Sequence, residues 1–414
     1  MNHWVILPML GPLLVVLALL NWRERRGQLG VLVTGFGGET ALAVWLFGRS
    51  LRGGMEIYQP GNLLPPLGAV LVLDQLAALM LLGSAALGAA ATAQSFKGPQ
   101  NPDNRNDPAL IQIALAGLNG AVLAGGLFTL WSVWALGLVA VAALAPSMRR
   151  QALAGAALLL SAVVVWGPLA PTLTIADLAE RQAGSLPGAV LLSAAFALFL
   201  WQPGAGPAAL PALGRLVAVA VLARLTLLLP LGPWPVLLAL AAALPTLAQS
   251  GQRLQVALCL LVLTGFALGS QAEITAGLWA LGLAFAVALV AGPDSGRLAL
   301  AFQALCLTVA AGLMMLATDH WPVRVALLTG TPALILATGV AIRRCPVRPI
   351  QPVAALATAA MVAAFVVFAE PAGTHLASVA RQLHNRQTYT TAVMGLPANP
   401  GPPAPTKGLP DAAD

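Results

Sequence analysis

The chain has 414 residues, 59% of them hydrophobic and 8% charged, with a net charge of +7 and a mean hydropathy of +0.85. A water-soluble domain carries roughly 25% charged residues, and disorder needs low hydrophobicity with high charge, so both classes are excluded. Long apolar runs in place of short alternating ones exclude an outer-membrane barrel, which leaves an all-α polytopic membrane protein.

In chain order, fourteen segments hold the roughly 20 apolar residues that a spanning helix requires. They are 4–20, 28–48, 66–93, 109–128, 130–146, 150–168, 187–202, 208–229, 232–248, 254–271, 274–292, 298–317, 321–342 and 350–370. The opening stretch MNHWVILPML has no basic run of the signal-peptide kind, so the first segment reads as a retained membrane helix. Orientation follows from Lys and Arg. The odd-numbered loops hold Arg23, Arg25, Arg26, Lys97, Arg105, Arg149, Arg150, Arg253, Arg297, Arg343, Arg344 and Arg348, twelve in all; the even-numbered loops hold three, Arg49, Arg52 and Arg181. The bias puts the odd loops in the cytoplasm and both termini outside, in a multi-pass protein of the inner (plasma) membrane.

Residues 1–370 thus form the transmembrane domain. Beyond Glu370, Leu376, Val379, Ala380 and Leu383 follow i, i+3, i+4, i+7 spacing, with Arg381, Gln382, Asn385 and Arg386 on the other face. This predicts an amphipathic C-terminal helix within 371–395 at the membrane surface. Residues 396–414, rich in Pro, Ala and Gly, read as a disordered tail.

Motifs for soluble chemistry are missing: there is no P-loop, HExxH or CxxCH. His3, His320, His375 and His384 lie outside the spans, and Cys259, Cys306 and Cys345 are far apart, so neither a metal site nor a disulfide framework is predicted, and no cofactor is expected. The basic residues stand singly between apolar runs, which is not a nucleic-acid footprint. Gly35-Phe36-Gly37-Gly38 has no strand before it and reads as close helix packing instead of a dinucleotide loop.

What remains is intramembrane charge, costly and functional by default. Glu39 lies midway along the second span, Asp74 in the outer half of the third, and Arg215 and Arg224 within the eighth. These four are the candidates for an ion or proton pathway. Arg215 and Arg224 are nine residues apart, about 900° of helix, and therefore face opposite ways. Asp74 and Arg224 share a depth and are expected to pair. Arg324, near the start of its span, snorkels to the surface. Glu39 has no partner in the sequence, and two roles stay open for it: a buried neutral acid or a proton-relay group. Arginine cannot relay protons, because it titrates only above about 12.

Several stretches, in order along the chain, have the pattern of one family. They are Tyr58-Gln59-Pro60-Gly61-Asn62 with Pro65-Pro66-Leu67-Gly68, then Val72-Leu73-Asp74-Gln75-Leu76-Ala77-Ala78-Leu79-Met80; Gly117-Leu118-Asn119-Gly120-Ala121 with Leu127-Phe128; Thr172-Leu173-Thr174-Ile175-Ala176-Asp177-Leu178-Ala179; and Ala380-Arg381-Gln382-Leu383 with Gln387-Thr388-Tyr389 and Ala392-Val393-Met394-Gly395. Together they resemble the D-type component of the Mrp-type multisubunit sodium/proton antiporters, within the antiporter-like subunits of respiratory complex I.

The resemblance implies the antiporter-like subunit fold, partner subunits of an antiporter or complex I-like assembly, and protons and monovalent cations as cargo. It also implies titratable groups that this chain lacks. The family's acidic residue before Leu-Phe and its following glutamate correspond to Gly126 and Ala135. The lysine-bearing turns of its seventh helix are missing from Phe196-Ala197-Leu198-Phe199-Leu200-Trp201. Its eighth-helix lysine falls at or beside Leu216, and its paired histidines at Ala284-Phe285. The scaffold is expected to survive without the relay, as a diverged subunit that is weakened or non-conducting by itself. The competing expectation is a structural or proton-translocating membrane-arm subunit of an NADH:quinone oxidoreductase-like complex, with any redox chemistry in other chains.

Overall fold

A computed structural model describes residues 3–22, 24–53, 55–59, 69–97, 107–145, 148–169, 173–181, 185–200, 209–247, 253–290, 297–344 and 373–394. The elements are α1 (Leu7–Asn21), α2 (Arg25–Gly53), β1 (Glu56–Tyr58), β2 (Leu71–Leu73), α3 (Gln75–Lys97), α4 (Asp107–Leu123), α5 (Leu127–Leu144), α6 (Arg149–Trp166), α7 (Ile175–Glu180), α8 (Leu186–Ala197), α9 (Ala209–Leu228), α10 (Trp234–Leu247), α11 (Arg253–Leu268), α12 (Gln271–Val290), α13 (Arg297–Ala317), α14 (Trp321–Arg344), α15 (373–384) and α16 (Arg386–Met394). Every expected span up to residue 342 contains one of these helices, and 350–370, the tail 396–414 and Cys345 lie outside the described residues. Among the described residues, eight helices are long and apolar enough to cross a membrane, and α4, α8, α10 and α11 are shorter apolar helices.

The bundle is organised around α9, which is buried along nearly its whole length. Leu14, Leu17, Leu20, Val33, Val139, Val164 and Leu244 point outward; such an apolar exterior is solvated by lipid and would be penalised by water. Lipid tails are as apolar as leucine, so helix contacts rest on close packing at small residues. At the α4–α5 crossing, a Cβ on Gly117 would collide with the backbone nitrogen of Gly137. At α11–α12, a Cβ on Gly265 would lie 2.5 Å from the Glu273 carbonyl oxygen. Gly35, read as a packing glycine, has Val15 of α1 at 2.6 Å from the site of its missing Cβ, whereas Gly37 and Gly38 face open space.

Two boundaries differ from expectation. The third span does not begin at 66: Leu71–Leu73 is a strand, antiparallel to Glu56–Tyr58, and α3 starts only at Gln75. The fourth span ends at Leu123, and Leu127 already belongs to α5. Ala124, Gly125 and Gly126 lie between them; Gly125 N–H donates to the Val70 carbonyl at 2.8 Å, and Ile175 N–H to the Gly125 carbonyl at 3.0 Å. A run of apolar residues does not distinguish a buried strand from a helix. The pairing of backbone groups that would otherwise be unsatisfied decides it.

The C-terminal segment forms α15 and α16, and the apolar face read from its spacing packs on the protein itself, with Val379, Ala380 and Leu383 buried.

Gly117→Ala is expected to be among the most disruptive small substitutions in the chain, because the methyl meets backbone and not a movable side chain. Overpacking of this kind costs about 1–3 kcal/mol or more. Gly37→Ala, with open space at its Cβ, serves as the control in thermal melts of the detergent-solubilised protein and should change the midpoint little.

Candidate functional site

Asp74 follows β2 directly and is the N-cap of α3. Its Oδ1 accepts from Ala77 N–H at 2.7 Å while its own carbonyl takes the first helical bond from Ala78 at 3.0 Å. This corrects the reading of Asp74 as a charge inside a helix: it is fully buried, but at a helix start, where a carboxylate completes orphan donors and meets the positive end of the helix dipole.

Its other oxygen, Oδ2, lies 3.0 Å from Arg224 Nη2, a charge contact without hydrogen-bond alignment. Arg224 Nη1 donates at 3.0 Å to the Val122 carbonyl, in the last turn of α4. That carbonyl has no helical partner of its own, because α4 stops at Leu123. The guanidinium also lies 5.3 Å from the Tyr389 ring centroid, with Nη2 3.5 Å from the hydroxyl. Burial pushes the Tyr389 phenol up, against the opposing pull of Arg224. One arginine therefore ties the start of α3, the end of α4 and α16 to α9. A cavity of about 10 Å³ borders Arg224, and its Nε has no hydrogen-bond partner.

The C-terminal segment meets α3 again beside this cluster. Gln75 N–H donates to Gln382 Oε1 at 3.2 Å, and the Ser378 hydroxyl donates to Gln75 Oε1 at 3.2 Å. Arg215, one helix face away as expected, donates to Gln255 Oε1 of α11 at 3.2 Å. Arg324 donates through Nε to the Thr318 carbonyl at 2.6 Å and through Nη2 to Asp319 at 3.1 Å.

Glu39 stands apart from both arginines. It is half-buried, its Oε1 has no partner, and it borders a small cavity together with Pro8, Ala85 and Asn119. Asn119 is a polar residue whose role the sequence reading missed. Pro12 has no N–H, so the Pro8 carbonyl one turn earlier loses its helical bond; Asn119 Nδ2 donates to it at 2.9 Å, and the Ser84 hydroxyl donates to Asn119 Oδ1 at 2.6 Å. The signal was present as Pro8-x-x-x-Pro12, four residues apart. The structure thus brings Asp74 and Arg224 together and leaves Glu39 and Arg215 in separate settings. Among the described residues, no group of three or more His, Cys, Asp or Glu is placed to hold a metal ion.

Comparison with known proteins bears on this arrangement. No family model matches the chain. Over 253 residues it is 34% identical to a Rhizobium meliloti (strain 1021) protein named as the probable D subunit of a K(+)/H(+) antiporter, covering 53% of this chain and 47% of that relative. Over 145 residues it is 30% identical to the D subunit of the Na(+)/H(+) antiporter of Bacillus subtilis (strain 168), covering 34% of this chain and 29% of that one. The chain thus spans less than half the length of these curated relatives. A chain of the Mrp complex from Dietzia sp. DQ12-45-1b superposes with a TM-score of 0.75 at 16% identity, over 95% of this chain and 99% of its own length. The chain has the antiporter-like subunit fold. A chain of the archaeal membrane-bound sulfane sulfur reductase (TM-score 0.72, 16% identity, 94% of this chain and 99% of that one) and one of respiratory complex I from Thermus thermophilus (0.67, 18%, 92% and 99%) share it. The family resemblance read from the sequence is borne out.

Within this antiporter-like fold, Phe196, Phe199, Leu216, Ala284 and Phe285, which stand where the resemblance implied titratable groups, are buried apolar residues, whereas Ala135 is only partly buried and Gly126 lies beside the Leu173 carbonyl and the Thr129 hydroxyl. Trp134, next to Ala135, sits 5.1 Å from the rings of both Phe196 and Phe199, so an aromatic cluster fills the region of the missing lysine-bearing turns. Leu216 and Ala284 are fully buried. The Phe285 ring lies against Gly83 of α3, where a Cβ would overlap it, a space only glycine leaves open.

Asp74→Asn keeps a side-chain acceptor for the α3 cap but removes the charge, whereas Asp74→Ala removes both. Leaving Arg224 buried without its partner is expected to cost about 3–5 kcal/mol, with Asp74→Ala the worse of the two. Asp74→Asn combined with Arg224→Met should recover much of the loss, and a double-mutant cycle on melting in detergent measures the coupling. Strict additivity would mean that the two side chains act independently.

Proposed function

We propose that this chain is a membrane subunit of a multisubunit monovalent cation (Na+ or K+)/proton antiporter in the plasma membrane, working beside partner subunits and exchanging little or nothing by itself. The relatives named as D subunits of antiporters and the fold shared with a chain of the Mrp complex support the first part. The observation that carries the second is the apolar packing of Trp134, Phe196, Phe199 and Phe285. A proton path through a bundle needs titrating groups close enough for water to bridge, and rings in close contact leave no room for that water. Asp74, held by a cap and an ion pair, and Arg215, held by Gln255, act here as structural polar groups within the 1–370 membrane body. Helices α15 and α16 pack the C-terminal segment onto it. Fourteen spans with both termini outside remain part of the proposal.

A second reading, a membrane-arm subunit of an NADH:quinone oxidoreductase-like complex, is favoured by the fold shared with chains of complex I and of the sulfane sulfur reductase. Purification from native membrane separates the two: co-purifying small antiporter subunits support the first, and redox subunits the second.

In everted vesicles from an antiporter-deficient strain, this chain expressed alone is expected to give no sodium- or potassium-dependent collapse of the pH gradient. Robust exchange would refute the non-conducting reading. Reporter fusions after Arg26 and after Arg150 are both expected to report the cytoplasm, and an external location for either overturns the orientation.

A further inference from the structure

Helices α1 and α2 meet at two glycines. A Cβ on Gly27 would lie 2.6 Å from the Trp22 indole, and one on Gly35 2.6 Å from Val15. A Cβ on Gly30 or Gly38 would meet nothing within 4 Å. The two helices thereby enclose an outward-facing groove of about 820 Å³ that runs from Trp22 and Gly27 at the turn to Leu7 and Leu42. Its length along α2 is about 22 Å at 1.5 Å per residue. The walls are apolar in effect, because the Thr34 hydroxyl donates to the Gly30 carbonyl of its own helix at 2.9 Å. Glu39 marks the inner end.

Size and charge together select the occupant. Spread over its length, the groove has a mean cross-section of roughly 40 Å². A helix with its side chains is about 10–12 Å across, roughly twice that area or more, so a neighbouring helix cannot seat in it. A hydrocarbon chain lying lengthwise can. One leaflet supplies about 15 Å of the roughly 30 Å hydrocarbon core. A chain entering beside Gly27 therefore reaches about ten residues along α2, to the level of Gly37 and short of Glu39.

The mouth of the groove is interfacial and basic. Trp22, exposed there, is of the residue type that sits at headgroup depth. Arg26 is exposed and lies one turn before Gly30, on the same helix face. Arg49, Arg181, Arg224 and Arg324 each meet a carboxylate of this chain, whereas Arg26 has no such partner among the described residues. Glu24 is the one acidic residue of the turn, against Arg23, Arg25 and Arg26 in its sequence, so the local charge is positive.

We propose that the α1–α2 groove binds an anionic phospholipid, with one acyl chain along the groove and the headgroup phosphate at Arg26. The inference is independent of the antiporter reading, because it concerns the isolated chain and needs neither partner subunits nor an ion gradient.

The test is photolabelling of the purified full chain in detergent with phosphatidylglycerol carrying a diazirine in one acyl chain, the adducts being located by mass spectrometry. Adducts are expected to concentrate within 11–22 and 27–38. Unlabelled phosphatidylglycerol should compete at least five-fold better than phosphatidylethanolamine. Arg26→Gln should lower labelling several-fold, and Arg26→Lys, which keeps the charge, should retain most of it. Gly30→Leu should obstruct the groove and lower labelling several-fold without changing the melt, since its Cβ has open space. Adducts as frequent around Val139 and Val164 as in the groove would overturn the proposal. So would equal competition by phosphatidylethanolamine, labelling indifferent to Arg26→Gln, or no adduct in the groove. A dimer in native mass spectra whose formation removes the label would assign the groove to a second copy of the chain and equally overturn it.

Discussion

A single buried guanidinium holds the polar architecture of this protein together. Arg224 meets the carboxylate that caps α3, a C-terminal carbonyl of α4 and the ring of Tyr389. Each contact compensates something the membrane setting would otherwise penalise: a buried negative charge, an orphaned backbone acceptor and a buried phenol. Desolvating an ion pair seldom yields net stability, but removing one member strands the other. The cluster therefore acts as a specificity device. It fixes which helix ends lie together, and the C-terminal helices are drawn into the bundle at the same place, α15 through Ser378 and Gln382 on Gln75 and α16 through Tyr389 on Arg224.

The rest of the bundle relies on shape. Gly117 against Gly137 and Gly265 against the Glu273 carbonyl let backbones approach closely, which is how helices associate when burial of apolar surface brings no gain over lipid. The same logic accounts for Phe285 on Gly83 and for the cluster of Trp134, Phe196 and Phe199. At several places where the family resemblance implies titratable groups, this chain has buried apolar side chains within the antiporter-like scaffold. The remaining polar features are separated: Arg224 and Arg215 face opposite sides of α9, and Glu39 belongs to α2 with its own cavity and groove.

Composition and hydropathy by themselves determined the class and the positions of the helices, because a spanning helix needs about 20 apolar residues whatever it packs against. Short ordered motifs carried the family resemblance. The nine-residue spacing of Arg215 and Arg224 likewise specified opposite faces, a property of one helix alone. Tertiary structure decided the rest. Whether Val72 belongs to a helix or a strand depended on a partner segment 56–58; whether Asp74 is a mid-membrane charge or a cap depended on where that strand ended. Asn119 acquires its role only because Pro12 on another helix leaves the Pro8 carbonyl unpaired, and Tyr389 because the chain returns to Arg224 from 165 residues away. Local pattern reports what a segment can bury; which polar atoms meet is a property of the assembled bundle, since in a dry interior each must find its partner in another segment.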